Sequence, residues 1–174
     1  MPIHELPPEV VAQIAAGEVV TRPGDAVKEV VENAIDAVLS RANGKSAAGT
    51  ISIEIWDGGY TRIRVADDGA GIPGDELPVA LLRHATSKIV SAQDLERLAS
   101  LGFRGEALAA IAAIADVAIL SATADNSVAA AIEVASGWPG AVHPATRRPG
   151  TTVTVERIFE RRGNGSTGEV LRLS

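Results

Sequence analysis

Glu29, Asn33 and Asp36 stand at i, i+4 and i+7 of an otherwise mostly apolar run. On a helix turning about 100° per residue they form one narrow polar stripe, with Glu32 at its edge. A solvated face opposite an apolar one has the same pattern, so the stripe alone does not decide between chemistry and solubility. Two further groups carry more. Asp67-Asp68-Gly69-Ala70-Gly71-Ile72 places a carboxylate where a strand ends, followed by glycines that let the backbone approach a ligand closely. A buried carboxylate there can accept a hydrogen bond from an amino group such as that of adenine, although Asp-Asp-Gly also makes an ordinary turn. Gly102-Phe103-Arg104-Gly105-Glu106 opens an apolar run. Backbone N–H groups at such a helix start would face an anion with the helix dipole behind them, and a simple capping turn has the same composition.

The elements that must position these groups follow from periodicity. A first helix is predicted from about Pro7 to Ala16, with Val10, Val11 and Ile14 on one face and Gly17 closing it. A second runs from Pro23 towards Arg41, its Val27, Val30, Val31, Ala34, Ile35 and Val38 spaced in threes and fours. Gly, Asn, Ser and Ala then make a loop to Gly49. Thr50 to Asp57 alternates, with Ile51, Ile53 and Ile55 on one face as in a half-buried strand. Gly58-Gly59 turns the chain, and Tyr60 to Asp67 returns antiparallel with Ile63 and Val65 inward, delivering Asp67 to the strand end. Helices are predicted near Asp75 to Arg83, Ala92 to Ala99 and Glu106 to Ala115, and strands at Val117 to Ala122, Val128 to Val134 and Thr151 to Ile158. This order implies an α+β fold, a two-layer sandwich of helices over one mixed, mostly antiparallel sheet.

Composition sets the outer limits. A chain of 174 residues with 46% hydrophobic residues can bury a core of its own. The absence of cysteine excludes disulfides, iron–sulfur clusters and cysteine-bearing zinc sites, and suits a reducing cytoplasm. Sixteen basic against twenty-two acidic residues give a net charge of -6, so the whole chain is no electrostatic glove for nucleic acid. No apolar stretch reaches the length of about 20 residues that a membrane span needs, and the first residues show no secretory signal pattern.

Taken in order, Glu29-x-x-x-Asn33, Asp67-x-Gly69-x-Gly71, Gly102-Phe103-Arg104-Gly105 and Gly150-Thr151 resemble the four ATP motifs of the GHKL superfamily of gyrase B, histidine kinases, the related heat-shock chaperone and MutL. The strings Gln13 to Val20, Arg22-Pro23, His84-Ala85-Thr86-Ser87-Lys88-Ile89 and Gly102 to Leu108 are similar to MutL-type DNA mismatch repair proteins in particular. That resemblance implies the Bergerat-type ATP-binding fold over about residues 1–155. It implies Glu29 as the general base that orients water against the γ-phosphate, and Asn33 as a neutral oxygen ligand to magnesium. Asp67 would read the adenine amino group with Thr151 close to the same base, and Gly71 would give room for the nucleotide. Between Pro73 and Gly105 the family carries a lid over the phosphates, with contacts from Thr86, Ser87, Lys88, Gly102, Phe103, Arg104, Gly105 and Leu108. The implied cofactors are ATP and magnesium. The implied partners of a full-length protein are a second copy on nucleotide binding, DNA and a mismatch-recognition protein.

Three features depart from the family pattern. The segment from Val38 to Gly49 is longer than usual, Asp68 stands where MutL relatives usually have Asn, and residues 156–174 diverge, with the second, transducer domain not in the chain. That domain supplies a lysine to the γ-phosphate in the family. The expectation is therefore clear ATP binding with slow hydrolysis, or a nucleotide-gated binding and dimerisation module without significant catalysis. The basic end around Arg147, Arg148, Arg157, Arg161 and Arg162 is interleaved with Glu156 and Glu160 and reads as a solvated strand edge.

Overall fold

The computed structural model describes residues 4–41, 48–82, 106–125, 128–135 and 137–160. Helices α1 (Pro8–Val19) and α2 (Pro23–Arg41) precede a hairpin of β1 (Ile51–Trp56) and β2 (Arg62–Asp67). A short α3 (Leu77–Ala80) and then α4 (Ala107–Ile114) lead into β3 (Asp116–Ala122), β4 (Ala129–Ala135), β5 (Trp138–Pro139), β6 (His143–Ala145) and β7 (Gly150–Glu156). The sheet order is β1-β2-β7-β3-β4-β5, with β6 also on β4, and every described pairing is antiparallel. This is the two-layer α+β arrangement that the order of elements implies.

One face of the sheet is the core. Ile63 and Val65 of β2, Val153 and Val155 of β7, Val117 and Ile119 of β3, and Ile132 and Val134 of β4 are all buried. Over them lie Val30 and Ala34 of α2 and Ile111 and Ile114 of α4, in the same apolar cluster. α2 covers β2 and touches β1 and β7, while α1 packs on α4. Burying each of these Val or Ile side chains contributes about 1.5–3 kcal/mol before entropy is counted.

Helix α2 has the bounds that its periodicity predicts. Its buried stripe is Pro23, Ala26, Val30, Ala34 and Val38. Asp25 in its first turn accepts hydrogen bonds at Oδ2 from the Thr21 and Arg22 backbone N–H groups (3.0 and 3.1 Å) and from the Thr21 hydroxyl (2.7 Å). These bonds, the Thr21 hydroxyl foremost, hold its pKa at about 2. The helix start is thereby fastened by its own third residue, satisfying donors that a helix leaves free.

Several sequence expectations are corrected. α1 does not close at Gly17 but runs through it to Val19, because Ala16 and Val20 are buried against α4 and packing outweighs a glycine cost of about 1 kcal/mol. Its Val11 and Ile14 are exposed. In β1, Ile53 and Ile55 pair with Val65 and Ile63 and so share the core-facing side, yet they are 46% and 49% exposed. β1 is the edge strand and α2 lies over its neighbour. The helix predicted from Asp75 is a single turn, anchored by buried Leu77 and held short around Pro78. β5 and β6 were not expected; each carries a proline, as strands at a sheet margin can. The helix predicted at Ala92 to Ala99 lies outside the described residues.

Candidate functional site

Asp67, Thr151 and Ser121 sit side by side on three adjacent strands. Thr151 pairs with Ser121 across β7 and β3, and the register Ala66↔Thr152 brings Asp67 next to Thr151 across β2 and β7. Their spacing in twos puts them on the same face as Ile63, Val65, Ile119 and Val153. They therefore form a polar row where the apolar face ends, with relative exposures of 7%, 6% and 1%.

A buried carboxylate needs partners. Asp67 Oδ1 accepts from Gly69 N–H at 2.8 Å and Thr151 N–H at 3.1 Å. Both bonds go to one oxygen, and among the described residues Oδ2 takes none. Burial pushes the Asp67 pKa up. The two N–H groups and the Arg147 guanidinium oppose that shift, and the Asp68 charge adds to it. Arg147 donates from Nη2 to the Asp67 carbonyl at 2.9 Å and from Nη1 to the Leu120 carbonyl at 3.2 Å. It thus ties the ends of β2 and β3 together beside the carboxylate. Sequence alone places Arg147 on a solvated edge; in the structure it is a half-buried brace of the strand ends.

The glycines here are dictated by close packing. Gly71 has φ +76°, and a Cβ on it would lie 2.0 Å from the Ala122 carbonyl oxygen. Gly150, at φ +124°, would bring a Cβ to 2.2 Å from the Asp67 carbonyl oxygen. Gly69 would meet Ala37 of α2 at 2.5 Å. The space beside Gly71 is thus taken by β3 itself, so the glycine's first requirement is the seating of the turn. Ser121 completes the seating by accepting from Ile72 N–H at 2.7 Å.

Asp68, the departure noted in the sequence, turns away from this row. Its Oδ1 accepts from Thr50 N–H at 2.9 Å, Arg41 lies 3.5 Å from its Oδ2, and the same guanidinium donates to the Asp68 carbonyl. Its charge is therefore partnered between α2 and β1.

The helix stripe meets the strand-end row through the Gly69-Ala70 turn. Ala70 N–H donates to the Ala37 carbonyl at 2.9 Å, and Ala37, Asn33 and Glu29 lie on one line at successive intervals of four residues. From Ala37 to Glu29 the helix rises about 12 Å. Glu29 and Asn33 are both half-buried. Lys28 Nζ lies 3.6 Å from Glu29 Oε1 and 3.1 Å from Glu32 Oε1, and this pairing, with Glu32 foremost, raises the lysine pKa.

Among the described residues no group of three or more His, Cys, Asp or Glu could hold a metal ion. Asn33 offers an amide oxygen on the helix stripe, and magnesium on nucleotides takes few protein ligands beside phosphates and water. Leu108 is half-buried on α4 against the core cluster. Thr86, Ser87, Lys88, Gly102, Phe103, Arg104 and Gly105 lie outside the described residues. Ser121 and Arg147 are the site residues that sequence reading missed.

A family model described as histidine kinase-, DNA gyrase B-, and HSP90-like ATPase matches residues 18–162. The DNA mismatch repair protein MutL of Ralstonia nicotianae is 49% identical over 158 residues, covering 91% of this chain and 23% of that protein. MutL of Xylella fastidiosa is 47% identical over 159 residues, covering 91% of this chain and 24% of the relative. The chain thus spans about a quarter of the length of these curated relatives. Among solved structures, the N-terminal domain of a DNA repair protein superposes with a TM-score of 0.65 at 33% identity, over 86% of this chain and 39% of that one. The Aquifex aeolicus MutL ATPase domain complexed with ADP gives 0.52 at 25% identity, over 80% and 43%.

Proposed function

The chain belongs to the histidine kinase-, DNA gyrase B- and HSP90-like ATPase family, and from that premise we propose that it is the ATP-binding, slowly hydrolysing module of a MutL-like DNA mismatch repair protein. The observation that carries this reading is the strand-end row. A buried carboxylate whose Oδ1 is satisfied by two backbone N–H groups keeps Oδ2 for an exocyclic amino group, at one end of a helix line that reaches Asn33 and Glu29. The ADP complex of the Aquifex aeolicus domain supports the same ligand class.

The division of labour follows from position. Asp67 accepts from the adenine amino group, with Thr151 beside it. Asn33 offers its amide oxygen to magnesium, which when bound screens phosphate charge. Glu29, one turn before Asn33, orients water and takes its proton as that water attacks the γ-phosphate in line. Thr86, Ser87, Lys88 and the Gly102 to Gly105 turn belong to the phosphate end on the strength of the motif resemblance alone. Leu108 belongs to the same end on that resemblance, and on α4 it packs against the core. The reading carries with it a phosphate lid from residues 73–105, nucleotide-driven dimerisation, and action on DNA with a mismatch-recognition partner in the cytoplasm. Residues 1–155 are its ATP-binding domain and 156–174 a divergent continuation. No described helix is long and apolar enough to cross a membrane.

A second reading is a nucleotide-gated binding module without significant catalysis. It is favoured by Lys28, whose ammonium beside Glu29 competes with the water that the carboxylate would have to hold. Calorimetric titration with a non-hydrolysable ATP analogue, with and without magnesium, tests the site that both readings share. Magnesium-dependent binding that weakens in Asn33→Ala is the expected result; a folded chain that binds in neither condition contradicts it.

A further inference from the structure

The apolar contacts that seat α2 over β2 are non-directional, so they hold the helix down without fixing where along the strands Glu29 and Asn33 stand. Directional bonds are needed for that, and the last turn of α2 makes them. Ala70 N–H donates to the Ala37 carbonyl at 2.9 Å. Arg41, the last residue of the helix, donates from Nη1 to the Asp68 carbonyl and from Nη2 to the Ala48 carbonyl at 3.3 Å, and its Nη1 lies 3.5 Å from Asp68 Oδ2. Asp68 Oδ1 accepts from Thr50 N–H at 2.9 Å, and Asp68 N–H donates to the Thr50 carbonyl at 3.2 Å. One guanidinium thus joins three segments: the end of α2, the approach to β1 and the turn that follows β2. They are pressed together there, since a Cβ on Gly49 would lie 2.1 Å from Val38 Cγ1 and 3.2 Å from Asp68 Oδ1. The bonds of Asp25 at the start of α2, by contrast, stay within residues 21–25 and do not reach the sheet.

A partly exposed ion pair contributes little by attraction alone, and the side chains of Arg41 and Asp68 are both partly exposed. What the planar guanidinium adds is geometry: two donors in a fixed fork, placed on carbonyls of two different segments, with a carboxylate beside them to hold the fork. Asp68 and the segment from Val38 to Gly49 are two of the departures from the family pattern, and they meet in this contact. We propose that Arg41, held by Asp68, is a positioning residue for the nucleotide: it locks the C-terminal end of α2 to the turn after Asp67 and so sets where Asn33 on the helix stands relative to the strand ends. This inference rests on the ATP-binding reading above and adds to it the joint between the two ends of the site.

The test titrates the 174-residue chain, Arg41→Ala, Asp68→Asn and the double variant with a non-hydrolysable ATP analogue, with and without magnesium. Contacts at the strand ends are common to both conditions, so the ratio of the two affinities reports whether Asn33 stands within reach of a nucleotide held there. The chain is expected to bind about tenfold more tightly with magnesium. In Arg41→Ala that ratio falls to about two, through weaker binding with magnesium, because a displacement of about 1 Å is enough to lose such a contact. Asp68→Asn keeps an acceptor for the Thr50 N–H and lowers the ratio to a value in between. The double variant matches Arg41→Ala, since both changes act through one contact. A purely structural role would weaken binding by the same factor in both conditions, and an unchanged ratio in Arg41→Ala overturns the proposal. So does a double variant in which the two losses add. An intact chain that binds the analogue equally with and without magnesium overturns this inference and leaves ATP binding standing. An intact chain that binds in neither condition overturns the ATP reading and this inference with it. Should circular dichroism show Arg41→Ala unfolded, Arg41→Lys, which keeps the charge and cannot bridge both carbonyls, is expected to lower the ratio part-way; an unchanged ratio there also overturns the proposal.

Discussion

The two ends of the proposed site are built differently. At the strand ends, Asp67, Thr151, Ser121 and Arg147 come from segments far apart in sequence, are buried or half-buried, and are joined by hydrogen bonds to one another and to the backbone. On α2, Glu29 and Asn33 come from a single helix and are half-buried, and Glu29 lies beside Lys28. The difference teaches where preorganisation lies. In the proposed function, base recognition is fixed by the core of the sheet, whereas the phosphate end draws its base and its oxygen ligand from one rigid helix and takes its remaining contacts from elsewhere.

The largest effect expected is at the helix end. Glu29→Gln keeps the shape and removes the base, so turnover should fall about 100-fold or more while the affinity for a non-hydrolysable ATP analogue stays within about twofold. An intact chain with no turnover to lose would favour the binding-module reading and sharpen the contrast between the ends.

At the strand ends the largest change is Gly71→Ala. A Cβ 2.0 Å from the Ala122 carbonyl oxygen at φ +76° forces the turn off β3, with an expected loss of about 3 kcal/mol in denaturant unfolding and of ATP binding together. Stability within about 0.5 kcal/mol of the parent would show that the turn is looser than the comparison requires.

Smaller is Asp25→Ala, which unfastens the start of the helix carrying Glu29 and should cost about 1 kcal/mol. Asp25 has its pKa lowered from 3.8 to about 2, so its ionised form contributes stability fully above the unfolded value. That contribution is lost as pH falls through about 2, and the deficit of Asp25→Ala should shrink over the same window. A deficit constant between pH 5 and pH 2 would contradict the assignment.

Much of the helix end was legible in sequence. Periodicity gave α2 its bounds and its stripe, and the hairpin delivered Asp67 to a strand end followed by the two glycines. Ser121 was not legible, because a serine inside Ile119-Leu120-Ser121-Ala122 looks like filler until register sets it opposite Thr151 and one strand from Asp67. Arg147 was misread for the same reason: its partners are the carbonyls of residues 67 and 120, which no local pattern connects to it. The exposed Ile53 and Ile55 show the converse. Alternation gives the face of a strand but not how far a helix reaches over it, and among the described residues α2 covers β2 and only touches the edge strand β1.

The most direct test of the strand-end site is Asp67→Asn, measured at pH 7 by titration with an ATP analogue and by thermal unfolding. Asn keeps an oxygen for the Gly69 and Thr151 N–H groups and replaces the other carboxylate oxygen with a donor. Because burial raises the Asp67 pKa above 3.8, the ionised side chain costs the fold stability once pH exceeds that range, so Asn should leave the melting temperature unchanged or higher. Affinity should fall more than tenfold, as expected for losing a hydrogen bond to a charged acceptor. Unchanged affinity, or a loss of affinity matched by a loss of melting temperature, would contradict the claim that this carboxylate is held in the sheet to read a base.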